Sequence, residues 1–161
     1  MNVFNLFDGE LDERRDRPGF SWTAARVGKA IGGKLIGASL YELEPGEKSF
    51  PYHYEHGAEE WLIVVAGAPT LRRPDGEREL RPGDTVAFPD GPEGAHQVLN
   101  RTDKPVRVLI LSTKGPFPTV AVYPDSDKLG VWLADGYSGL FRHGDAVDYW
   151  EGETSEEGLI S

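Results

Sequence analysis

Turn residues interrupt the middle of the chain at short, regular intervals. Between Lys34 and Thr113, segments rich in Val, Leu, Ile and Tyr alternate with turn pairs such as Pro45-Gly46 and Pro82-Gly83. Short strands separated by turn residues are typical of an all-β sandwich or barrel. No segment shows a sustained helical period, so the sequence predicts an all-β fold.

The same pattern divides one predicted domain into four stretches. A chain of 161 residues is long enough for one hydrophobic core and short for two. Residues 1–33 predict an N-terminal arm that adds a strand or packs along an edge, and residues 34–113 predict the barrel core. Residues 114–150 predict strands that wrap back on the barrel, and residues 151–161 an acidic flexible tail.

Charge and composition exclude several classes of partner. The formal net charge is −10, whereas binding to a nucleic-acid backbone needs a concentrated basic face. The chain has no cysteine, no apolar run as long as a membrane span and no basic leader at its start. We therefore expect a cytoplasmic protein that binds neither nucleic acid nor membrane.

The segment PYHYEHGAEEW, residues 51–61, contains a dense group of possible metal ligands. Alternate residues of a strand share a face, so His53 and Glu55 point one way and His56 the other. Glu60 begins the next predicted strand, and His96 follows a turn-forming stretch farther along the chain. An antiparallel sheet can bring His53, Glu55, Glu60 and His96 together.

Two imidazoles and two carboxylates suit a first-row divalent metal: iron, manganese, zinc, nickel or cobalt. Each residue also has a simpler interpretation. A single histidine in a β protein is usually a surface or hydrogen-bonded residue, and Glu59 and Glu60 alone are typical of a solvated strand start. The glycines and prolines at fixed offsets around these residues favour the metal site.

Those offsets resemble the two motifs of the cupin superfamily, which cover about a third of the chain. The first motif is usually written G-x5-H-x-H-x(3,4)-E-x6-G, and here it reads Gly46-x6-His53-x-Glu55-x4-Glu60-x6-Gly67. The second is usually written G-x5-P-x-G-x2-H-x3-N, and here it reads Gly83-x5-Pro89-x-Gly91-x4-His96-x3-Asn100. The resemblance implies a double-stranded β-helix, a jelly-roll-like barrel. It also implies that His53, Glu55, Glu60 and His96 are the ligands.

A closer likeness is to small bacterial single-domain cupins that carry EEW, FPxGPEGAHQ and YPDSxK. This chain has Glu59-Glu60-Trp61, then Phe88 to Gln97, then Tyr123 to Lys128. The likeness implies a fold, a site and a homodimer, and it implies no particular substrate.

The chemical departure from the motif is Glu55, which stands where the second histidine usually lies. Two carboxylates already neutralise a divalent ion, so we expect weaker Lewis acidity and a preference for manganese or iron over copper. The competing interpretation is a site that is losing its metal.

Three functions remain open. The first is a metal-dependent enzyme that acts on a small organic substrate, of dioxygenase or isomerase type. The second is a non-catalytic cupin that binds or senses a metal or small molecule, and the third is a structural dimer with a vestigial site. Four arginines are scattered across turns and predict no cationic pocket: Arg72, Arg73, Arg81 and Arg101. Tyr123 and the other late aromatic residues are predicted to lie in the core or at a subunit interface.

Overall fold

The fold is built from antiparallel strands, as the sequence predicts. The computed structural model describes residues 1–115, 118–133 and 135–153. Within them, the strands are β1 Glu13–Arg15, β2 Trp22–Ala25, β3 Ile36–Leu43, β4 Tyr54–His56, β5 Glu60–Ala66, β6 Thr70–Arg73, β7 Gly76–Glu79, β8 Thr85–Phe88, β9 Gln97–Leu99, β10 Val106–Thr113, β11 Thr119–Tyr123, β12 Lys128–Trp132 and β13 Ser138–Arg142. One short helix, α1 Val27–Ala30, and three single-turn 3₁₀ helices complete the described elements.

The strands form three sheets that enclose one interior. The six-stranded sheet has the order β1-β2-β3-β10-β5-β8, the four-stranded sheet β13-β12-β11-β4, and the three-stranded sheet β7-β6-β9. All strand pairs within the described residues are antiparallel. The hairpin that joins β6 to β7 turns at Pro74-Asp75, since Arg73 pairs with Gly76, and proline and aspartate favour such a turn.

The interior has two layers, which follow from strand alternation. On β5, Glu60, Leu62 and Val64 leave the same face. Leu62 and Val64 pack into a buried cluster with ten members: Leu43, Leu62, Val64, Leu71, Leu80, Phe88, Val98, Val106, Val108 and Ile110. We call this cluster the apolar layer. Glu60 lies one step beyond it, with His53, Glu55 and His96, and these four residues form the polar layer.

The first residues of the chain cover the outer face of the six-stranded sheet. Strands β1 and β2 extend this sheet beyond β3. A second buried cluster joins Val27 of α1 to Leu40 and Leu109, with Phe4 and Leu6 packed against it. Leu40 of β3 and Leu109 of β10 are therefore shielded from water on the outer face of the sheet.

The last strands build the four-stranded sheet, which closes the interior over the polar layer. Strand β11 pairs with β4 on one side and with β12 on the other. The turn between β11 and β12 contains Asp125, whose carboxylate accepts two hydrogen bonds from Arg72, at 2.6 and 2.9 Å. The predicted flexible tail falls, from residue 154 onward, outside the described residues. None of the described helices is long and apolar enough to cross a membrane.

Candidate metal centre

His53 and His96 are direct neighbours through their backbones. The N–H of His96 donates to the carbonyl oxygen of His53 at 2.8 Å, and the N–H of His53 donates to that of His96 at 3.2 Å. This isolated antiparallel bridge places the two ring centroids 4.8 Å apart. Residues that the sequence separates by more than forty positions thus come to the same point in the barrel.

Both imidazoles are fixed in one tautomer. The Nδ1 atom of His53 lies 2.9 Å from the carbonyl oxygen of Pro51, and that of His96 lies 2.9 Å from the carbonyl oxygen of Gly94. A carbonyl only accepts, so each Nδ1 carries the proton and each Nε2 keeps a free lone pair. The Nε2 atom of His96 is buried and has no hydrogen-bond partner among the described residues. A buried polar atom without a partner is costly, and a metal ion is one group that would satisfy it.

Glu60 supplies a carboxylate to the same point. Its Oε2 atom lies 3.5 Å from Nε2 of His96, which is too long for a good hydrogen bond. One possible ligand atom from each of His53, Glu60 and His96 lies within 4.8 Å of the others. Such spacing is compatible with three ligands around a common centre.

Burial keeps these groups neutral in the metal-free protein. It lowers the pKa of His96 to about 3, with the nearby His53 acting in the same direction. Burial likewise lowers the pKa of His53. Burial also raises the pKa of Glu60 to about 8, and the negative charge of Glu55 adds to this rise. The contact between Glu60 and His96 at neutral pH is therefore not an ion pair, and both imidazoles are in the neutral form that binds metals.

Glu55 faces the cluster from a different sheet. It lies on β4 and pairs with Ala121 of β11, whereas His53 precedes β4 and pairs with His96. The sequence analysis places His53 and Glu55 on one strand, but the described strand begins only at Tyr54. Glu55 is close enough to act on the pKa of Glu60, yet it lies outside the three-residue group. Its role as a fourth ligand stays a prediction.

Aromatic rings form the walls of the site. Phe88 stacks on His96 with ring centroids 3.6 Å apart and planes 4° from parallel. Phe50 meets both imidazoles edge-on, at 5.0 Å from His53 and 5.8 Å from His96. Tyr123 stacks on His53 at 5.7 Å, so it lies beside the site, and its place in the core or at an interface stays a prediction. The YPDSxK stretch was the available signal for Tyr123, because it begins with that residue.

Two other residues singled out in the sequence have structural roles. His56 points to solvent, as strand alternation predicts, and its Nδ1 lies 2.9 Å from the carboxylate of Asp90. Asn100 is buried and donates to the carbonyl oxygens of Leu43 and Lys104, at 2.9 and 2.7 Å. It therefore fixes the loop before β10.

The donor set fits a first-row divalent metal. Two neutral imidazoles with free Nε2 atoms and a carboxylate converge beside the rings of Phe50, Phe88 and Tyr123, and nitrogen with oxygen ligands suits iron, manganese, zinc or nickel. The second carboxylate, on Glu55, makes the surroundings harder and more negative.

Comparison with known proteins gives a consistent result. Residues 39–112 match the family Cupin_2, described as Cupin domain. Among solved structures, one described as a sugar phosphate isomerase of the cupin superfamily from Silicibacter pomeroyi is 35% identical; the match covers 81% of this chain and 82% of that chain, with a TM-score of 0.73.

Two more solved structures extend the comparison. A protein from Acidithiobacillus ferrooxidans, provisionally named a sugar phosphate isomerase, is 27% identical over 84% of this chain and 86% of that chain, with a TM-score of 0.75. A protein from Thermus thermophilus is 23% identical over 70% of this chain and 97% of that chain, with a TM-score of 0.56, and shows the fold alone. No protein in the curated set matches the chain. The antiparallel barrel, the two motifs and the 35% identical relative agree: the chain belongs to the cupin superfamily.

Proposed function

We propose that the protein is a metal-dependent isomerase that acts on a small hydroxy-carbonyl compound of the sugar class. The observation that carries the proposal is the buried Nε2 of His96, which has no hydrogen-bond partner among the described residues and lies beside Glu60 and His53. The likeness to a cupin described as a sugar phosphate isomerase supports the reaction class.

Three residues would hold the metal: His53, Glu60 and His96. When bound, such an ion acts as a Lewis acid that polarises a carbonyl group and orients the neighbouring hydroxyl. The protein fixes the imidazoles through Pro51 and Gly94 and covers them with aromatic rings. The covered site excludes water and strengthens the electrostatic interactions inside it.

An aldose–ketose type of isomerisation moves one proton between adjacent carbon atoms. We assign this transfer to Glu55, because its carboxyl group faces the cluster without belonging to the three-residue group. The carboxylate takes the proton from the carbon that bears the hydroxyl group and returns it to the former carbonyl carbon, while the hydroxyl proton shifts to the carbonyl oxygen. Substrate and product are isomers, so no oxidant is consumed.

One observation favours a second candidate function, an oxygenase. The three-residue group contains two histidines and one carboxylate, which is the ligand set of many non-haem iron oxygenases. In that case the metal would be iron and turnover would consume oxygen. An isomerase needs neither.

Metal analysis of the purified protein without an affinity tag tests the site. We expect close to one first-row metal ion per chain in the parent and none in a His53→Ala/His96→Ala double variant. A His56→Ala variant is the matched control, because it removes an exposed imidazole beside the site and should retain the metal. A parent that stays metal-free after reconstitution would contradict the proposal.

The metal-loaded protein is then assayed in two parallel arms. One arm follows interconversion of aldoses and ketoses, with and without a phosphate group, and the other follows oxygen consumption. Isomerisation without oxygen uptake supports the isomerase, and the reverse supports the oxygenase. A Glu55→Gln variant that keeps its metal but loses roughly 10²- to 10⁴-fold in kcat supports the proton-transfer role, whereas loss of the metal supports the predicted ligand role.

A further inference from the structure

Two lysines from different sheets flank the polar layer. Lys114 follows the end of β10, where Ser112 pairs with Glu60, and Lys128 begins β12, where it pairs with Tyr123. Paired residues on adjacent strands leave the same face of the sheet, and so do residues two positions apart. The side chains of both lysines therefore lie on the sheet faces that are directed toward the candidate metal centre.

The Lys114 side chain crosses Gly37, where the absence of a side chain leaves room for it. A Cβ atom at Gly37 would lie 2.8 Å from Cε of Lys114 and 2.7 Å from Oγ of Ser112. The lysine thus runs back beside the Ser112 hydroxyl. Burial raises the pKa of Glu55, and the positive charge of Lys114 is near enough to oppose that rise.

The Lys128 ammonium group lies one aromatic ring away from the cluster. Its Nζ atom is 5.4 Å from the ring centroid of Tyr123, and the same ring stacks on His53. The cross-strand partner of Lys128 is Arg142, and like charges placed opposite each other on paired strands repel. An anion bound beside them would relieve that repulsion.

Among the described residues, neither Lys114 nor Lys128 has a carboxylate within ion-pair distance. Meanwhile Glu55 and Glu60 would balance the charge of a divalent ion, and the whole chain carries a formal charge of −10. The candidate metal centre therefore has little attraction for an anionic substrate, and any such attraction must come from the neighbouring cations.

We propose that Lys114 and Lys128 bind the phosphate group of a phosphorylated sugar whose carbonyl end lies at the metal centre. This inference deepens the proposed function and rests on it. A lysine ammonium group binds phosphate as a compact point charge with several donors. Two lysines match the double charge of a phosphate monoester at neutral pH.

Titration with inorganic phosphate, followed by calorimetry, tests the inference. The parent is compared with Lys114→Gln, Lys128→Gln and the double variant, each with metal bound and after chelation. Lys104→Gln is the matched control, because this exposed lysine lies beyond the opposite end of β10. We expect each site variant to weaken phosphate binding about tenfold, as loss of a charge-assisted hydrogen bond does, and Lys104→Gln to leave it unchanged.

A Gly37→Ala variant keeps every charge but displaces the Lys114 side chain. It should weaken phosphate binding in the same direction as Lys114→Gln. Equal phosphate affinity in the parent and the double lysine variant would overturn the inference, and so would binding that vanishes on chelation alone. Acetate that binds as tightly as phosphate would overturn the choice of a phosphate group.

The two proposals fail in different ways. If the lysine variants lose phosphate binding but the protein neither holds metal nor isomerises sugars, the phosphate site stands and the proposed function falls. If sugar phosphates are isomerised but the lysine variants leave KM unchanged, the inference falls and the proposed function stands. We expect KM for the phosphorylated sugar to rise in Lys114→Gln and Lys128→Gln, and to rise more than KM for the same sugar without its phosphate group.

Discussion

The apolar layer and the polar layer are built by the same strands and differ in what burial does to them. On β5, Leu62 and Val64 are fully buried, and removing these apolar side chains from water stabilises the folded state. Glu60, one step along the same face, is also largely buried, and there burial opposes ionisation. The apolar layer therefore stabilises the fold. The polar layer lowers the stability of the fold until a ligand pairs with its buried polar groups.

The largest expected effect is a loss of metal affinity when a residue of the polar layer is replaced. A His96→Gln variant should lower metal affinity on the order of a hundredfold to a thousandfold, since each ligand carries a few kcal/mol of the binding free energy. The metal-free protein should lose only about 1 kcal/mol of unfolding free energy, because Gln can still donate to the carbonyl oxygen of Gly94 and the lost Nε2 has no hydrogen-bond partner among the described residues. Metal-competition assays and urea unfolding of the chelated protein measure the two quantities. A collapse of stability in the metal-free variant would remove the distinction.

The reciprocal change is in the apolar layer. A Leu62→Ala variant should lose about 3 kcal/mol of unfolding free energy, as a buried cavity would cost, and should still bind one metal ion per chain. Urea unfolding and metal analysis of the same preparation check both parts. Loss of the metal at full stability would show that the layers are not separable.

The polar layer should also respond to pH. The folded-state pKa of Glu60 lies above its ordinary value, so its contribution to stability is present at low pH and is lost as pH rises toward about 8. The shift at His96 acts only below pH 6.5. Between pH 6.5 and 8 the metal-free protein should lose roughly 2 kcal/mol.

Unfolding curves of the chelated protein at pH 6.5 and 8 measure this decline, and Glu60→Gln should abolish it. Metal affinity should move the other way, since binding displaces a proton from Glu60 below pH 8. A parent and a Glu60→Gln variant with the same pH dependence would contradict the assignment.

The smallest expected effect on stability concerns the ion pair between Arg72 and Asp125. Arg72 and Asp125 are partly exposed, so removing the pair should cost less than about 1 kcal/mol in a double-mutant cycle. The pair joins the β6–β7 hairpin to the turn after Tyr123. A larger coupling energy would indicate that the Arg72–Asp125 pair contributes to stability as strongly as a buried interaction does.

The strand pattern and three residues of the site, His53, Glu60 and His96, could be predicted from the sequence because their signals are local. Turn residues mark strand ends locally, and the histidines and Glu60 lie at fixed offsets from those turns. Tyr123 and the two lysines lie near the polar layer because β11 pairs with β4 and Ser112 with Glu60. Pairing between distant strands leaves no local pattern, so the sequence predicted no cationic group near the site.

Gly94 has a consequence for which substitutions the chain can accept. A Cβ atom there would lie 2.0 Å from the carbonyl oxygen of Pro89, so any side chain must push the loop apart. The carbonyl of Gly94 is also the acceptor that fixes the His96 ring. In a scan of all single substitutions, Gly94 should therefore be as intolerant as His96 for metal retention, although it has no functional group. In a site of this kind, close backbone contacts limit the accepted substitutions as strongly as the ligand side chains do.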